Sequence, residues 1–499
     1  MAGIGFELRK LFVGRGVARK INAYAYSSIV CAGTMILANI LLISVDRLTH
    51  WYSASQHEAD TLVVMLLYAL GASLLLSAPL QILLSRFVAD QLYMGEEERV
   101  IPSLIGAYTT LSLPGGALYA LLLYGAPEVP LLDRILNLCL FLVLPLVWLE
   151  MSYITAVKEY PRVLQGFAIG VFVAIALTWL LLSLGLPIIT AVMLSLFCGY
   201  GTMLLLFLRV LLRRFPAGEG SLFYFVAWIG RMPDLVITGF STTLGAYIHI
   251  ILMWFSPIGY TVISGFYNAP MHDTAAFFAF LITVPASVQF MVSVEVNFYQ
   301  KYKAYFNAIS GGGTMLEITA LGDEMAASLK HELSRLTQMQ VYLMIIYAVL
   351  MRYALETIGF THGMISMFQM MCVGYSAFAL VNCLVLLMLY FNDRTGAMTT
   401  AGTFLLINFT ASLLTTRGST VFYDTGLVAA GVVAYIMGAF RLLGYVKEID
   451  YHVFCGQPIF ATKSKNILER LAETLDHKVR ATHVKPTPRR ILKEVKPHE

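Results

Sequence analysis

The chain has 499 residues, 58% of them hydrophobic and only 13% charged. A soluble globule of this size carries about a quarter of its residues as charges, so the composition excludes one and calls for lipid as the main solvent. The formal charge of +4 is small, but the basic residues are spread unevenly along the chain, and that asymmetry says more than the total.

Crossing about 30 Å of hydrocarbon as a helix takes roughly 20 apolar residues. On that measure a basic segment, 1–20, leads into spans at 21–45, 61–85, 101–124, 134–156, 163–184 and 187–211. The first reads as a retained span, because no small-residue cleavage site follows its apolar stretch. The fifth and sixth meet at Gly185 and Pro187 with almost no loop. A second set follows at 232–255, 273–297, 339–358, 364–390, 397–416 and 421–445, preceded by the aromatic stretch from Phe223 to Trp228. The expected fold is therefore all-α and polytopic with about twelve transmembrane helices, although ten or fourteen also remain open. A short basic connection, Arg209 to Arg214 with Pro216 and Gly218, divides the spans into six and six. The resulting units are 21–212, then 221–297 with 339–446, an insertion at 298–338, and a basic tail at 447–499.

Loop charge tests this count, since misplaced spans would scramble it. Of the 34 basic residues, only Arg47, Arg134, Arg352 and Arg417 fall on one side. The other side holds the rest, so both termini are expected in the cytoplasm and the number of spans is even.

Within the spans, Pro79 and Gln81 in the second are echoed by Pro285 and Gln289 in the eighth. Prolines in corresponding helices point to a central path, because a broken helix frees carbonyls that only a cavity or a neighbouring helix satisfies; proline is also common in membrane helices by chance. Pro114, followed by Gly115 and Gly116, reads as a kink. Gly166 and Gly170 form a GxxxG pattern, which favours close helix packing. Charges inside hydrocarbon are costly, and Glu150, Asp234 and Glu295 all fall toward the cytoplasmic third. They are candidates for a common acidic vestibule or for a proton or sodium site; the alternatives are an ion pair of Asp234 with Arg231 and carboxylates that reach the headgroups. His249 lies deeper and reads as a hydrogen-bonded packing residue.

The insertion holds a glycine break at Gly311 to Gly313 and then an apolar stripe, Ile318, Leu321, Met325, Leu329, Leu333 and Leu336, at helical spacing. It must lie on the membrane surface, on the bundle or on a partner protein, and Leu321, Met325 and Leu329 are the docking candidates. A second stripe, Ile467, Leu468, Leu471, Leu475 and Val479, precedes the end of the tail. No Walker A, HExxH or GxSxG sequence is present, and the six cysteines are isolated. No cofactor, metal site or enzymatic activity is therefore expected.

The opening Met1-Ala2-Gly3-Ile4-Gly5-Phe6-Glu7-Leu8-Arg9-Lys10-Leu11 resembles the amino terminus of the PelG family, inner-membrane transporters of the Pel exopolysaccharide system in Gram-negative bacteria. Ser85 to Asp90 and Tyr299 to Phe306 are similar to it as well, and the resemblance covers residues 1 to about 455. It implies two six-helix lobes around a central cavity, as in the superfamily of multidrug exporters and polysaccharide flippases. It also implies a galactosamine and N-acetylgalactosamine polymer as substrate. The implied partners are a cytoplasmic glycosyltransferase and inner-membrane proteins that include a cyclic-di-GMP receptor. Other readings of the same fold are a flippase for a lipid-linked sugar, an ion-coupled multidrug exporter, and a membrane scaffold that only anchors the synthase.

Overall fold

The structure is a computed structural model that describes residues 33–34, 36–45, 47–52, 55–157, 159–216, 221–416, 418, 423–455, 470 and 474. The amino-terminal segment that carries the opening resemblance, most of the first span and the apolar stripe of the tail lie outside the described residues.

A helical stretch at 36–45 and 47–51 precedes α1, Gln56–Met94, which starts in a reciprocal cap. There the Glu58 amide donates to Ser55 Oγ at 3.3 Å and the Ser55 amide to Glu58 Oε2 at 3.0 Å, so two otherwise orphaned donors are satisfied. α1 ends at Gly95, whose φ of +74° suits a residue without Cβ. Next come α2 (Val100–Tyr124), α3 (Leu131–Ala156), α4 (Tyr160–Ser183) and α5 (Ile188–Arg214). Pro79 and Pro114 sit inside uninterrupted helices.

The aromatic stretch before the seventh span is a helix of its own, α6 (Tyr224–Arg231). After α7 (Pro233–Trp254) the chain forms a short antiparallel hairpin, β1 (Tyr260–Ile263) and β2 (Phe266–Asn268). The eighth span is broken into α8 (Pro270–Phe280) and α9 (Thr283–Val292), followed by a π-helical turn over Ser293–Phe298. Pro285 accounts for the break: it has no N–H for the carbonyl four residues earlier. The Val284 amide bonds Leu281 O at 3.1 Å instead. Gln340 Nε2 donates to Ile282 O at 3.1 Å and Tyr347 Oη to Phe278 O at 2.7 Å, so side chains of a neighbouring helix satisfy the freed carbonyls.

The insertion and the ninth span differ from expectation. α10 (Tyr299–Ser310) is followed by one helix of 44 residues, α11 (Met315–Ile358), which runs from the insertion through the span without interruption. No Gly or Pro lies between Met325 and Ile358 to stop it. Then come α12 (His362–Tyr390), α13 (Arg394–Thr415), α14 (Thr425–Lys447) and α15 (Ile449–Phe454). Among the described residues, ten helical segments are long and apolar enough to cross a membrane. α2, at 25 residues, also has spanning length.

Two cores organise the bundle. The first gathers Phe87, Phe141, Tyr153, Phe167 and Phe207 from α1 and α3 to α5. Here α4 and α5 approach closely at the GxxxG pattern, where a Cβ on Gly166 would lie 2.3 Å from Phe207 Cε1 and one on Gly170 would lie 2.8 Å from Gly199 O. The second core centres on α12, with Phe368, Met371 and Tyr375 packed among α8, α13 and α14. Alternation of helix direction collects Arg86, Arg99, Arg162, Arg209 to Arg214, Arg394 and Arg441 at one end of the bundle, the basic end. Ion pairs across turns bear this out: Arg214 lies 3.3 Å from Glu97, and Arg441 contacts Asp393 at 3.0 Å.

Candidate functional site at the seam between the two lobes

The two lobes meet where α1 packs against α7. Near the middle, a Cβ on Gly239 would lie 2.4 Å from the carbonyl oxygen of Ala78, so only glycine admits this backbone contact. At the end opposite the basic one, the β1–β2 hairpin of the second lobe inserts Ile263 and Phe266 into the core of the first. Tyr68 of α1 stacks on Trp254 at 4.9 Å, touches Phe266 at 4.7 Å, and accepts the Tyr267 amide at 3.0 Å. At the hairpin tip, Ser264 donates its amide and hydroxyl to Glu128, in the turn between α2 and α3, at 3.0 and 2.6 Å. The Ser264 hydroxyl and then its amide hold the Glu128 carboxyl below its ordinary value, because they stabilise the charged form. The seam is thus latched at that end by an aromatic stack and a capped turn.

Behind the latch, inside the second lobe, lies a cluster of polar side chains. His272, in the first turn of α8, is fully buried and places Nε2 2.9 Å from Asp424 Oδ1 and Nδ1 3.4 Å from Asp273 Oδ1. Asp424 is also fully buried, at the start of α14, with a left-handed φ of +66°. Asp273 accepts from Trp254 Nε1 at 3.0 Å. His249 of α7 lies 3.2 Å through Nε2 from Tyr375 Oη, with its ring centroid 5.8 Å from that of His272. His249 Nδ1 and Asp424 Oδ2 have no hydrogen-bond partner among the described residues.

A neutral imidazole donates through one nitrogen and accepts through the other, whereas both nitrogens of an imidazolium donate. His272 faces a carboxylate on each side. Only the doubly protonated ring donates to both, and the neutral ring leaves one carboxylate without a ring donor. The cluster's outermost member, Asp273, holds the same Trp254 that stacks on Tyr68 across the seam.

The residues singled out from sequence are scattered. Glu150 is wholly buried in the first lobe, and neither carboxylate oxygen has a partner among the described residues. Asp234 pairs with Arg394 at 3.4 Å, in the second lobe, where the spacing had pointed to Arg231. Of the three residues expected in a common vestibule, Glu150 is thus enclosed within the first lobe and Asp234 is held in an ion pair. Glu295 lies in the π-helical turn, and its side chain is outside the described residues. Gln81 donates to Ser77 Oγ at 2.8 Å on its own helix, and Gln289 is half-buried on α9. Leu321, Met325 and Leu329 are covered by the chain itself: Met325 and Leu329 are buried in the second core with Tyr305 of α10, and Leu321 packs against it. The insertion doubles back so that α10 lies on α11, which is why that face is not open to a partner.

Sequence reasoning missed His272, Asp273, Asp424 and the Tyr68–Trp254 stack. A signal existed: His272 and Asp273, the second and third residues after Pro270, open an apolar span, and Asp424 stands directly before another.

The profile of the PelG family, exopolysaccharide exporters (EPS-E), matches residues 1–454. No curated protein matches the chain. Among solved structures, the fold is similar to the outward-facing conformation of a multidrug resistance MATE family transporter of the MOP superfamily. The two share 12% identity over 86% of this chain and 96% of the other, with a TM-score of 0.57. A MOP superfamily transporter from Pyrococcus furiosus, described as having a binding pocket of reversed polarity, aligns at 12% identity over 85% of this chain and 96% of its own, with a TM-score of 0.50. At these identities the likeness speaks for the fold alone. Family and fold are those of a transporter, and the ten apolar helices are those of a multi-pass membrane protein. The chain belongs to the PelG family of exopolysaccharide exporters.

Proposed function

We propose that this chain moves a Pel-type polymer of galactosamine and N-acetylgalactosamine across a bacterial inner membrane, with both termini in the cytoplasm. The observation that carries the reading is the family match over residues 1–454. The two-lobed fold supports it, and the loop charges support the orientation, since short basic loops stay in the cytoplasm. The polymer passes between the lobes once the seam at Gly239, Tyr68 and Trp254 parts, and the protonation of the His272 cluster biases that parting. A cytoplasmic glycosyltransferase delivers the polymer at the basic end, with inner-membrane partners that include a cyclic-di-GMP receptor.

The test is reconstitution in vesicles with the candidate synthase, asking whether labelled polymer becomes protected from external glycosidase. Protection that needs this chain supports the reading. Unprotected polymer despite a stable complex with the synthase favours a scaffold, and efflux of a small amphiphile without synthase favours a drug exporter.

A further inference from the structure

Between α4 and α5, at the basic end, lies a crevice of about 360 Å³ that the seam does not use. Arg162 of α4 and Arg209, Arg213 and Arg214 of α5 line it. Two carboxylates reach these guanidinium groups: Glu159 lies 3.8 Å from Arg162, and Glu97 lies 3.3 Å from Arg214. Arg209 and Arg213 have no carboxylate partner among the described residues, and within these the crevice holds two more positive than negative charges. They stand one turn apart on the same face of α5, the spacing at which like charges repel. An anion between them turns that repulsion into attraction.

Apart from Gln165, the rest of the wall is apolar. Ile169, Leu206 and Val210 continue the crevice toward the hydrocarbon, and the neighbouring Leu205 and Leu212 are 67% and 48% exposed, as lipid-facing side chains are. Arg209 to Arg214 close the last turn of a span, at the depth of the headgroups. A small soluble anion gains nothing from the apolar wall, and a neutral lipid gains nothing from the arginines.

We propose that this crevice binds a membrane phospholipid of net negative charge, its phosphodiester oxygens between Arg209 and Arg213 and an acyl chain along Ile169 and Leu206. A zwitterionic headgroup brings the same phosphodiester with an ammonium that Arg209 and Arg213 repel.

The experiment follows thermal unfolding of the full-length protein in detergent. It is titrated with phosphatidylglycerol, with phosphatidylcholine of the same chains, or with inorganic phosphate, and lipid adducts are counted by native mass spectrometry. The expected result is stabilisation and a retained adduct with phosphatidylglycerol only. R209Q/R213Q weakens the effect about tenfold or more, while R352Q, at an exposed arginine of the opposite end paired with Glu356 at 3.2 Å, leaves it intact. An equal effect of phosphatidylglycerol on R209Q/R213Q overturns the proposal. Equal stabilisation by inorganic phosphate also overturns it, because the site then takes a free anion. Should R209Q/R213Q fail to fold, I169W decides: it fills the apolar wall with every arginine in place, so loss of the adduct supports the lipid and an undiminished adduct sinks it.

Discussion

His272 is the residue with the most to lose from a change in its surroundings, because its fully buried ring faces a carboxylate at each nitrogen. Asp424→Asn keeps the shape of one of those carboxyls and removes its charge. Charge-assisted hydrogen bonds are worth about 1.5–3 kcal/mol, so export should fall roughly tenfold or more with the protein still in the membrane; normal export would remove the cluster from the mechanism. Glu128 gives a prediction in pH. Its folded value lies below the ordinary carboxylate value of about 4.3. The latch to Ser264 is therefore complete above the ordinary range and is lost as pH falls through the lowered value. Hydrogen exchange at the Ser264 amide should stay slow from neutral pH down to about 5 and be fast throughout in Glu128→Gln. Equal protection in the two proteins would show that the hairpin is held without this carboxylate.

Two elements carry more than their sequences announce. The first half of α11 has the spacing of a surface helix, but α10 and α15 cover its stripe, and Tyr305 donates to Asp450 at 2.6 Å to tie the three together. Burial, and then this bond, push the Tyr305 phenol above its ordinary value. Replacing Leu321, Met325 and Leu329 by Ser should cost roughly 1.5–3 kcal/mol per fully buried side chain, read as a lower melting temperature of the isolated protein. An unchanged melting temperature with loss of a copurifying partner would instead make the stripe a docking face. At α4 and α5, a Cβ on Gly170 would meet the Met203 side chain at 2.3 Å and the backbone oxygen of Gly199 at 2.8 Å; the methionine can turn aside but the oxygen cannot, so with Gly170→Leu the two helices must separate. Overpacking of this kind costs about 1–3 kcal/mol, and a melting temperature equal to that of the parent protein would contradict the close approach.

At the scale of the whole molecule, the two lobes meet at the seam between α1 and α7. Gly239→Leu puts a branched side chain where even a lone Cβ would lie 2.4 Å from the Ala78 carbonyl oxygen, so it should hold the lobes apart while each keeps its own core. Spin labels on Ser55 and Thr261, both exposed at the latched end, should report a longer distance in Gly239→Leu than in the parent. An unchanged distance would mean that the hairpin latch alone sets the lobe arrangement.

Hydropathy and loop charge, which depend on each residue's own transfer from water to lipid, determined the membrane class, the approximate spans and the separation of a basic from a basic-poor end. Glycine spacing likewise marked the α4–α5 contact, since packing along one helix face is periodic. Pairings between distant segments left no such periodic trace. His272 and Asp424 are 152 positions apart, Tyr68 and Tyr267 are 199 apart, and Arg394 replaces the sequence neighbour of Asp234 because the α12–α13 turn folds beside the start of α7. The continuation of α11 across an expected boundary is of the same kind. Its amphipathic half and its apolar half look like two elements to a hydropathy measure, although no Gly or Pro divides them, and the one helix packs against α10 at one end and α12 farther along.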